Sequence, residues 1–206
     1  AEAVLVEYDE RPALLDPRTA EGKPPLWEQS PDNVCFRTDA GDRIATDAAF
    51  ETAAHVTRIS VDIERLVQNP LETRAYVGLY NPDDARFTMH ATAGKPQTVG
   101  RALARDIFHL PEDRVRVITP DVGGGFGAKN PLYPEQALVL WTAQQLGRPV
   151  RWIAARGEGF LSDYQGRGQT ADAEAAFDPD GKFLALRVKA RADLGGYLGP
   201  RGSTAG

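Results

Sequence analysis

Four glycines within five positions, Gly123, Gly124, Gly125 and Gly127, enclose a single aromatic residue, Phe126. Backbone without side chains can adopt positive φ and can approach a bound group closely. The β-branched run 114–118 directly before the glycines is typical of a buried strand, and loops at strand ends commonly bind ligands in α/β proteins. The pattern therefore predicts a loop that holds a phosphate-bearing cofactor or faces a substrate. A tight strand-to-helix turn is the alternative.

Two known phosphate loops fit this segment poorly. A Walker A loop ends in Gly-Lys-Ser/Thr, whereas here Lys129 precedes Asn130. Residues 123–128 match the dinucleotide pattern G-x-G-x-x-G/A, but Pro131 and Pro134 delay the following helix, so its N-terminus is not placed against the glycines. A nicotinamide site is consequently a weak hypothesis.

The residues that usually ligate metals show no ligand spacing. His55, His90 and His109 are widely separated, and no metal site built from side chains is predicted. Cys35 is the single cysteine, which excludes an internal disulfide, a cysteine-type zinc site and a self-contained iron–sulfur cluster. We expect it to be an inert thiol.

Composition is that of a soluble globular protein. The 206 residues are 42% hydrophobic and 26% charged, with a net charge of −5. Both signs are interspersed without a basic run, so nucleic acid is not an expected partner. No apolar run approaches the length of a membrane span and no signal-peptide pattern is present. With one cysteine and no internal disulfide, we expect a reducing, cytoplasmic location.

Hydrophobic periodicity predicts the elements around the loop. Period-2 alternation and β-branched runs indicate strands, whereas apolar residues on one face of a 3.6-residue repeat, with proline at the start, indicate helices. The predicted strands are 4–8, 55–63, 75–80, 86–90, 114–118, 150–153, 171–177 and 183–192, and the predicted helices are 47–54, 96–109, 134–146 and 157–164. The turns after residues 80 and 177 predict two hairpins. Trp141 and Trp152 are expected in the core.

The first forty-odd residues differ from the rest. The segment 11–41 carries five prolines and few periodic apolar positions, which predicts a connector over a surface or a partly disordered linker. The chain begins without Met in an apolar run and stops soon after a strand. We expect a fragment of a longer protein.

Several spaced motifs resemble one family. Residues 123–129, 133–135, 147–152 and 156–161 are similar to the molybdenum hydroxylases, more narrowly to the large subunits of the xanthine dehydrogenase, aldehyde oxidase and aerobic carbon monoxide dehydrogenase group. The similarity extends upstream through residues 65–74 and downstream through residues 180–186, so it covers residues 45–200 with its motifs in order.

The resemblance implies the architecture. It predicts an α/β (α+β) fold with mixed sheets and flanking helices, the first part of the molybdopterin-binding domain. Residues 1–44 would be a connector and the tail of a preceding hammerhead-type domain, and residues 45–206 the N-terminal part of the molybdopterin-binding domain.

The resemblance also implies site residues. In the family the glycine–phenylalanine loop borders the molybdenum and its pterin, so Gly124, Gly125, Phe126 and Gly127 are predicted to bind cofactor. Phe126 and Asn130 are predicted to face the substrate. Asn130 stands where xanthine-oxidising members carry a Glu, which argues against purine oxidation. No protein ligand to the metal is expected, because the pterin sulfurs hold it.

One departure concerns an amide near the metal. Family members usually place a Gln there, and an alignment anchored on Pro96 puts Gly94 at that position. Gln97 could replace it only if the turn is shifted. Either the cofactor is bound differently, or the local register differs from this alignment.

The implied activity belongs to a longer protein. It is the hydroxylation of an aldehyde, a heterocycle or CO with water as the oxygen source, using molybdopterin, as the cytosine dinucleotide, and passing electrons to iron–sulfur and FAD-binding subunits. The general-base Glu is expected downstream, so this chain alone has no predicted catalytic residue and is expected to be inactive and free of cofactor. Glu135 is expected to supply negative charge at a helix N-terminus, and Glu158 to be an ordinary surface or capping residue. The alternative is a non-catalytic assembly or binding module of the same fold.

Overall fold

The computed structural model describes residues 5–10 and 12–196. Contacts divide the described residues into two compact units, one built from those up to residue 64 together with residues 168–196, the other from Arg65–Arg167. The elements are α1 (Arg43–Thr52), β1 (His55–Leu66), β2 (Ala75–Asn81), β3 (Arg86–Ala91), α2 (Pro96–Ala102), β4 (Val115–Ile118), α3 (Pro134–Leu146), β5 (Val150–Ile153), α4 (Arg156–Ser162), β6 (Gly166–Phe177) and β7 (Phe183–Ala192).

The first unit contains a three-stranded sheet in the order β1-β6-β7. Strands β6 and β7 form the antiparallel hairpin that the sequence predicts. Asp178 makes the turn, because its carboxylate accepts hydrogen bonds from the amides of Asp180 and Lys182, at 2.9 Å each, and Gly181 has φ of 82°. Helix α1 is capped by Asp42, whose carboxylate accepts from the Ala45 amide at 3.0 Å.

The two faces of this sheet differ in polarity. On one face Arg58 pairs with Glu174 at 2.6 Å and Ser60 donates to Asp172 at 2.6 Å. Alternation along a strand places the neighbouring residues on the opposite face. That face carries apolar side chains that are substantially exposed: Ile59, Val61, Ile63, Leu186 and Val188.

The N-terminal segment is irregular but ordered by polar contacts. The side chain of Asn33 accepts from the Leu26 amide at 2.9 Å and donates to the carbonyl of Ala20 at 3.0 Å. Arg18 pairs with Asp62 of β1 at 2.5 Å. These contacts join parts of the segment to each other and to β1. Residues 5–8 are not a strand, so that prediction is wrong, and Val4 lies outside the described residues.

The second unit is built on a four-stranded sheet in the order β4-β3-β2-β5. The predicted hairpin β2–β3 is confirmed, β5 is antiparallel to β2, and β4 is parallel to β3. A parallel neighbour requires a crossover connection, which α2 and the following turns supply. This mixed arrangement with flanking helices confirms the predicted α/β (α+β) class.

Helix α3 packs closely on strand β2. A Cβ at Gly78 would lie 2.6 Å from the carbonyl oxygen of Val139, so only glycine permits this approach. Tyr76, Met89 and Leu140 are almost fully buried in the core between sheet and helices. Helix α3 therefore packs on the same sheet whose strand β4 leads into the glycine loop.

Two predictions for these elements need correction. The helix expected over 96–109 is α-helical only to Ala102, continues as a π-helix over Leu103–Phe108, and ends at His109 in the left-handed region. Trp152 packs against the core and stacks on Tyr76 with ring centroids 5.3 Å apart, as predicted. Trp141 is wrong as a core residue, since it is 52% exposed.

No helix in the described part of the chain is long and apolar enough to cross a membrane.

Candidate functional site: the glycine loop

The glycine loop follows β4, the edge strand of the second sheet, and precedes α3. Three of its residues have positive φ: 93° at Gly124, 47° at Phe126 and 91° at Gly127. Positive φ is ordinary for glycine but strained for a bulky residue such as phenylalanine. The glycines at 124 and 127 are therefore required by the loop's conformation, and Phe126 is held in an unfavourable one.

The loop leaves several of its own donors free. Turns are closed by the Ala128 amide on the Gly125 carbonyl at 2.8 Å and by the Asn130 amide on the Gly127 carbonyl at 3.1 Å. Within the described residues, the amides of Gly124, Gly125, Phe126 and Gly127 donate to no other group. Successive free amides of this kind form a concave binding surface for oxygen-rich or anionic groups. This is the predicted cofactor-binding set.

Phe126 is an exposed aromatic ring at this surface. Its side chain is 74% exposed, yet the ring lies close enough that a Cβ at Gly124 would be 3.3 Å from it. Pro70, which is fully buried, closes the other side of Gly124 at 3.4 Å from the same point. The structure thus places an apolar wall beside the free amides.

Glu72 anchors the loop where the glycines begin. Its Oε2 accepts from the Gly123 amide at 2.8 Å and from Nζ of Lys129 at 2.8 Å. Burial disfavours the carboxylate, but the hydrogen bonds from Lys129 and Gly123 outweigh it and hold the pKa of Glu72 below its usual range. Glu72 is not among the site residues predicted from the sequence.

Asn130 lies directly against Gly94. The amide of Gly94 donates to the Lys129 carbonyl at 3.0 Å, and a Cβ at residue 94 would lie only 2.2 Å from Oδ1 of Asn130. The side chain of Asn130 therefore fills the space that a side chain at 94 would need. Gln97 lies exposed in the first turn of α2.

Arg74 is a buried cation behind the loop. Its guanidinium donates to Asp163 at 2.6 Å, to Glu135 at 2.9 Å and to Ser162 at 2.9 Å, and its side chain is fully buried. Burial alone would lower the pKa of Arg74, but the hydrogen bonds to Glu135 and Asp163 raise it. The guanidinium carbon also lies 3.7 Å from the ring centre of Tyr133.

Tyr133 connects this cluster to the loop. Its hydroxyl donates to the Ala128 carbonyl at 2.7 Å and accepts from the Tyr164 amide at 3.0 Å. Burial raises the pKa of Tyr133, so the phenol keeps the proton that it donates. The loop is consequently anchored at its far end as well.

Glu135 and Glu158 both lie at the starts of helices. Glu135 lies in the first turn of α3 and pairs with Arg74, and Glu158 accepts from the Ala155 amide at 3.2 Å at the start of α4. In the described residues no group of three or more His, Cys, Asp or Glu side chains is placed to hold a metal ion. Cys35 is exposed.

The chemistry of the donors suits a molybdopterin cofactor. Free backbone amides match the acceptor atoms of a pterin and of metal-oxo groups, and a group held through its own sulfurs needs no side-chain ligand. The loop presents bare backbone amides and one exposed aromatic ring, that of Phe126.

Comparison with known proteins identifies the class. Residues 26–205 match the model of the molybdopterin cofactor-binding domain, and the chain belongs to that family. It is 36% identical over 210 residues to the carbon monoxide dehydrogenase large chain of Hydrogenophaga pseudoflava, covering 95% of this chain and 26% of that protein. It is 32% identical over 200 residues to the nicotine 6-hydroxylase large subunit of Paenarthrobacter nicotinovorans, covering 96% of this chain and 24% of that protein.

A solved structure agrees with the sequence relatives. Quinoline 2-oxidoreductase from Pseudomonas putida 86 superposes with a TM-score of 0.86 at 36% identity, covering 95% of this chain and 25% of that one. The chain therefore spans about a quarter of the length of the relatives that it matches. These findings confirm the predicted resemblance and fold.

Proposed function

We propose that this chain forms part of the cofactor-lining region of a molybdenum hydroxylase that acts on an aldehyde, a heterocycle or CO, with water as the oxygen source. The observation that carries the proposal is the row of free amides from Gly124 to Gly127 beside the exposed ring of Phe126. Family membership and the names of the relatives support it.

The residues have distinct proposed roles. Gly124, Gly125 and Gly127 donate backbone hydrogen bonds to the cofactor, and Phe126 excludes water from one side of the substrate. Asn130 offers its amide to the substrate from its place against Gly94. When bound, the molybdenum cofactor supplies the two-electron oxidation; the general-base Glu belongs to sequence outside this chain.

The complete protein is proposed to bind molybdopterin cytosine dinucleotide and to pass electrons to iron–sulfur and FAD-binding subunits in the cytoplasm. The relatives named as a large chain and a large subunit support separate partner subunits. By itself this chain is proposed to be inactive.

The test is to express the full-length polypeptide with its partner subunits and to measure molybdenum and released nucleotide. We expect stoichiometric molybdenum and cytidine nucleotide. A folded complex without molybdenum would contradict the proposal and favour a non-catalytic module, for which the absence of an amide side chain at Gly94 is the specific argument.

A further inference from the structure

Glu72 holds both polar backbone groups of Gly123. Its amide donates to the Gly123 carbonyl at 3.2 Å, and its carboxylate accepts from the Gly123 amide at 2.8 Å. A Cβ at Gly123 would lie 2.7 Å from the Cβ of Glu72, and φ at Gly123 is not positive. This glycine is therefore required by close contact with Glu72 and not by its backbone conformation.

The same carboxylate pairs with the other end of the loop. Lys129 places its ammonium 2.8 Å from Oε2 of Glu72, and its side chain is fully buried, whereas that of Glu72 is 35% exposed. A buried ammonium is strongly unfavourable without an anionic partner. Lys129 is thus confined to the position that Glu72 provides.

Together these contacts close a ring around the glycines. Gly123 at the start of the loop and Lys129 at its end both donate to the carboxylate of Glu72. The free amides of residues 124–127 lie between these two contacts. The loop between has strained φ at Phe126 and few internal hydrogen bonds. Such a conformation persists only where its surroundings determine it.

We propose that Glu72 and Lys129 are positioning residues: their ion pair fixes both ends of the glycine loop and so sets the orientation of its free amides and of Phe126. Neither side chain needs to touch the reacting atoms. The inference rests on the proposed function for its purpose, since a preorganised loop is what a bound cofactor would require.

The experiment compares Glu72→Ala, Glu72→Gln and Lys129→Met in the full-length protein with its partner subunits. Hydrogen exchange of the hydrogen-bonded amides of the loop, those of Gly123, Ala128 and Asn130, is expected to become about tenfold faster in Glu72→Ala and in Lys129→Met, because charged hydrogen bonds are lost. Glu72→Gln keeps an acceptor for the Gly123 amide and should show a smaller increase. Molybdenum loss during dialysis should follow the same order.

The matched control is Glu112→Ala, which breaks the exposed pair between Arg101 and Glu112, 3.4 Å apart in the same unit. It should leave loop exchange unchanged, and exchange in the hairpin 75–91 should be unchanged in every variant. Unchanged loop exchange in both Glu72→Ala and Lys129→Met would overturn the proposal, as would acceleration spread equally over the hairpin. If Glu72→Ala does not fold, Glu72→Gln and Lys129→Met decide.

Failure of the proposed function is recognised separately. It would appear as a wild-type complex without molybdenum, and loop exchange would still show whether the ion pair holds the loop.

Discussion

Two buried cations lie beside the glycine loop, and each is neutralised differently. Lys129 has one partly exposed carboxylate, Glu72, whereas Arg74 has two carboxylates and two aromatic rings. Removing one partner of a buried pair is far more costly than replacing both, because the remaining charge is desolvated. The charges near this loop are therefore fixed by neighbours that the chain supplies from distant positions.

Substitutions at Gly94 and Asn130 should be energetically coupled. Gly94→Ala would place a methyl group 2.2 Å from the present position of Asn130 Oδ1, so that side chain must move. Because it is the end of a flexible side chain, we expect a cost of about 1 kcal/mol in the free energy of unfolding. The same substitution in an Asn130→Ala background should cost almost nothing, which a double-mutant cycle by urea unfolding measures.

Equal costs in the two backgrounds would show that Asn130 does not occupy this space. Asn130→Ala alone is the reference for that cycle. The m-value should be the same in all variants, since the substitutions should not change the surface exposed on unfolding.

At the element scale, the packing of α3 on β2 depends on Gly78. A Cβ there would lie 2.6 to 2.9 Å from backbone atoms of Val139 and Leu140, which no rotamer change relieves. We expect Gly78→Ala to lower the free energy of unfolding by about 2 kcal/mol or more, since overpacking forces the helix away from the sheet.

Gly157→Ala is the matched control, because its Cβ would meet nothing within 4 Å in helix α4. It should change the free energy of unfolding by less than about 1 kcal/mol. A similar loss of unfolding free energy in both variants would contradict the claim that close packing of α3 on β2 requires glycine at position 78.

Most elements were predictable because their signals are local. Alternation, the proline at the start of α3 and the Asp178 turn each act within a few residues. The errors have non-local causes: residues 5–8 have strand-like composition but do not join either sheet, and Trp141 lies on the side of α3 away from the sheet. Strand pairing and tertiary burial decide whether such a segment joins a sheet or the core. The periodicity of the sequence alone does not reveal either.

The candidate site was predictable only in part for the same reason. The glycines and Phe126 form one continuous motif, so residue type and family resemblance sufficed to select them. Glu72 is 51 residues from Gly123 and 57 from Lys129. Its neighbours in sequence do not indicate that it contacts the glycine loop. Supporting contacts of this kind require the folded chain.

At the scale of the whole molecule, the two units offer a direct comparison of glycines. Gly127 in the glycine loop and Gly181 in the β6–β7 turn have φ of 91° and 82°, and a Cβ at either would meet nothing within 4 Å. Alanine at each should cost a similar backbone penalty of about 1–2 kcal/mol. Only at Gly127 would the methyl group enter the space that we assign to the cofactor.

The most direct test of that assignment is the molybdenum content of the full-length complex carrying Gly127→Ala or Gly181→Ala, measured by elemental analysis after dialysis. We expect Gly181→Ala to retain the wild-type amount and Gly127→Ala to lose most of it, with both proteins folded. Equal molybdenum in the two variants would contradict the claim that the glycine loop lines the cofactor.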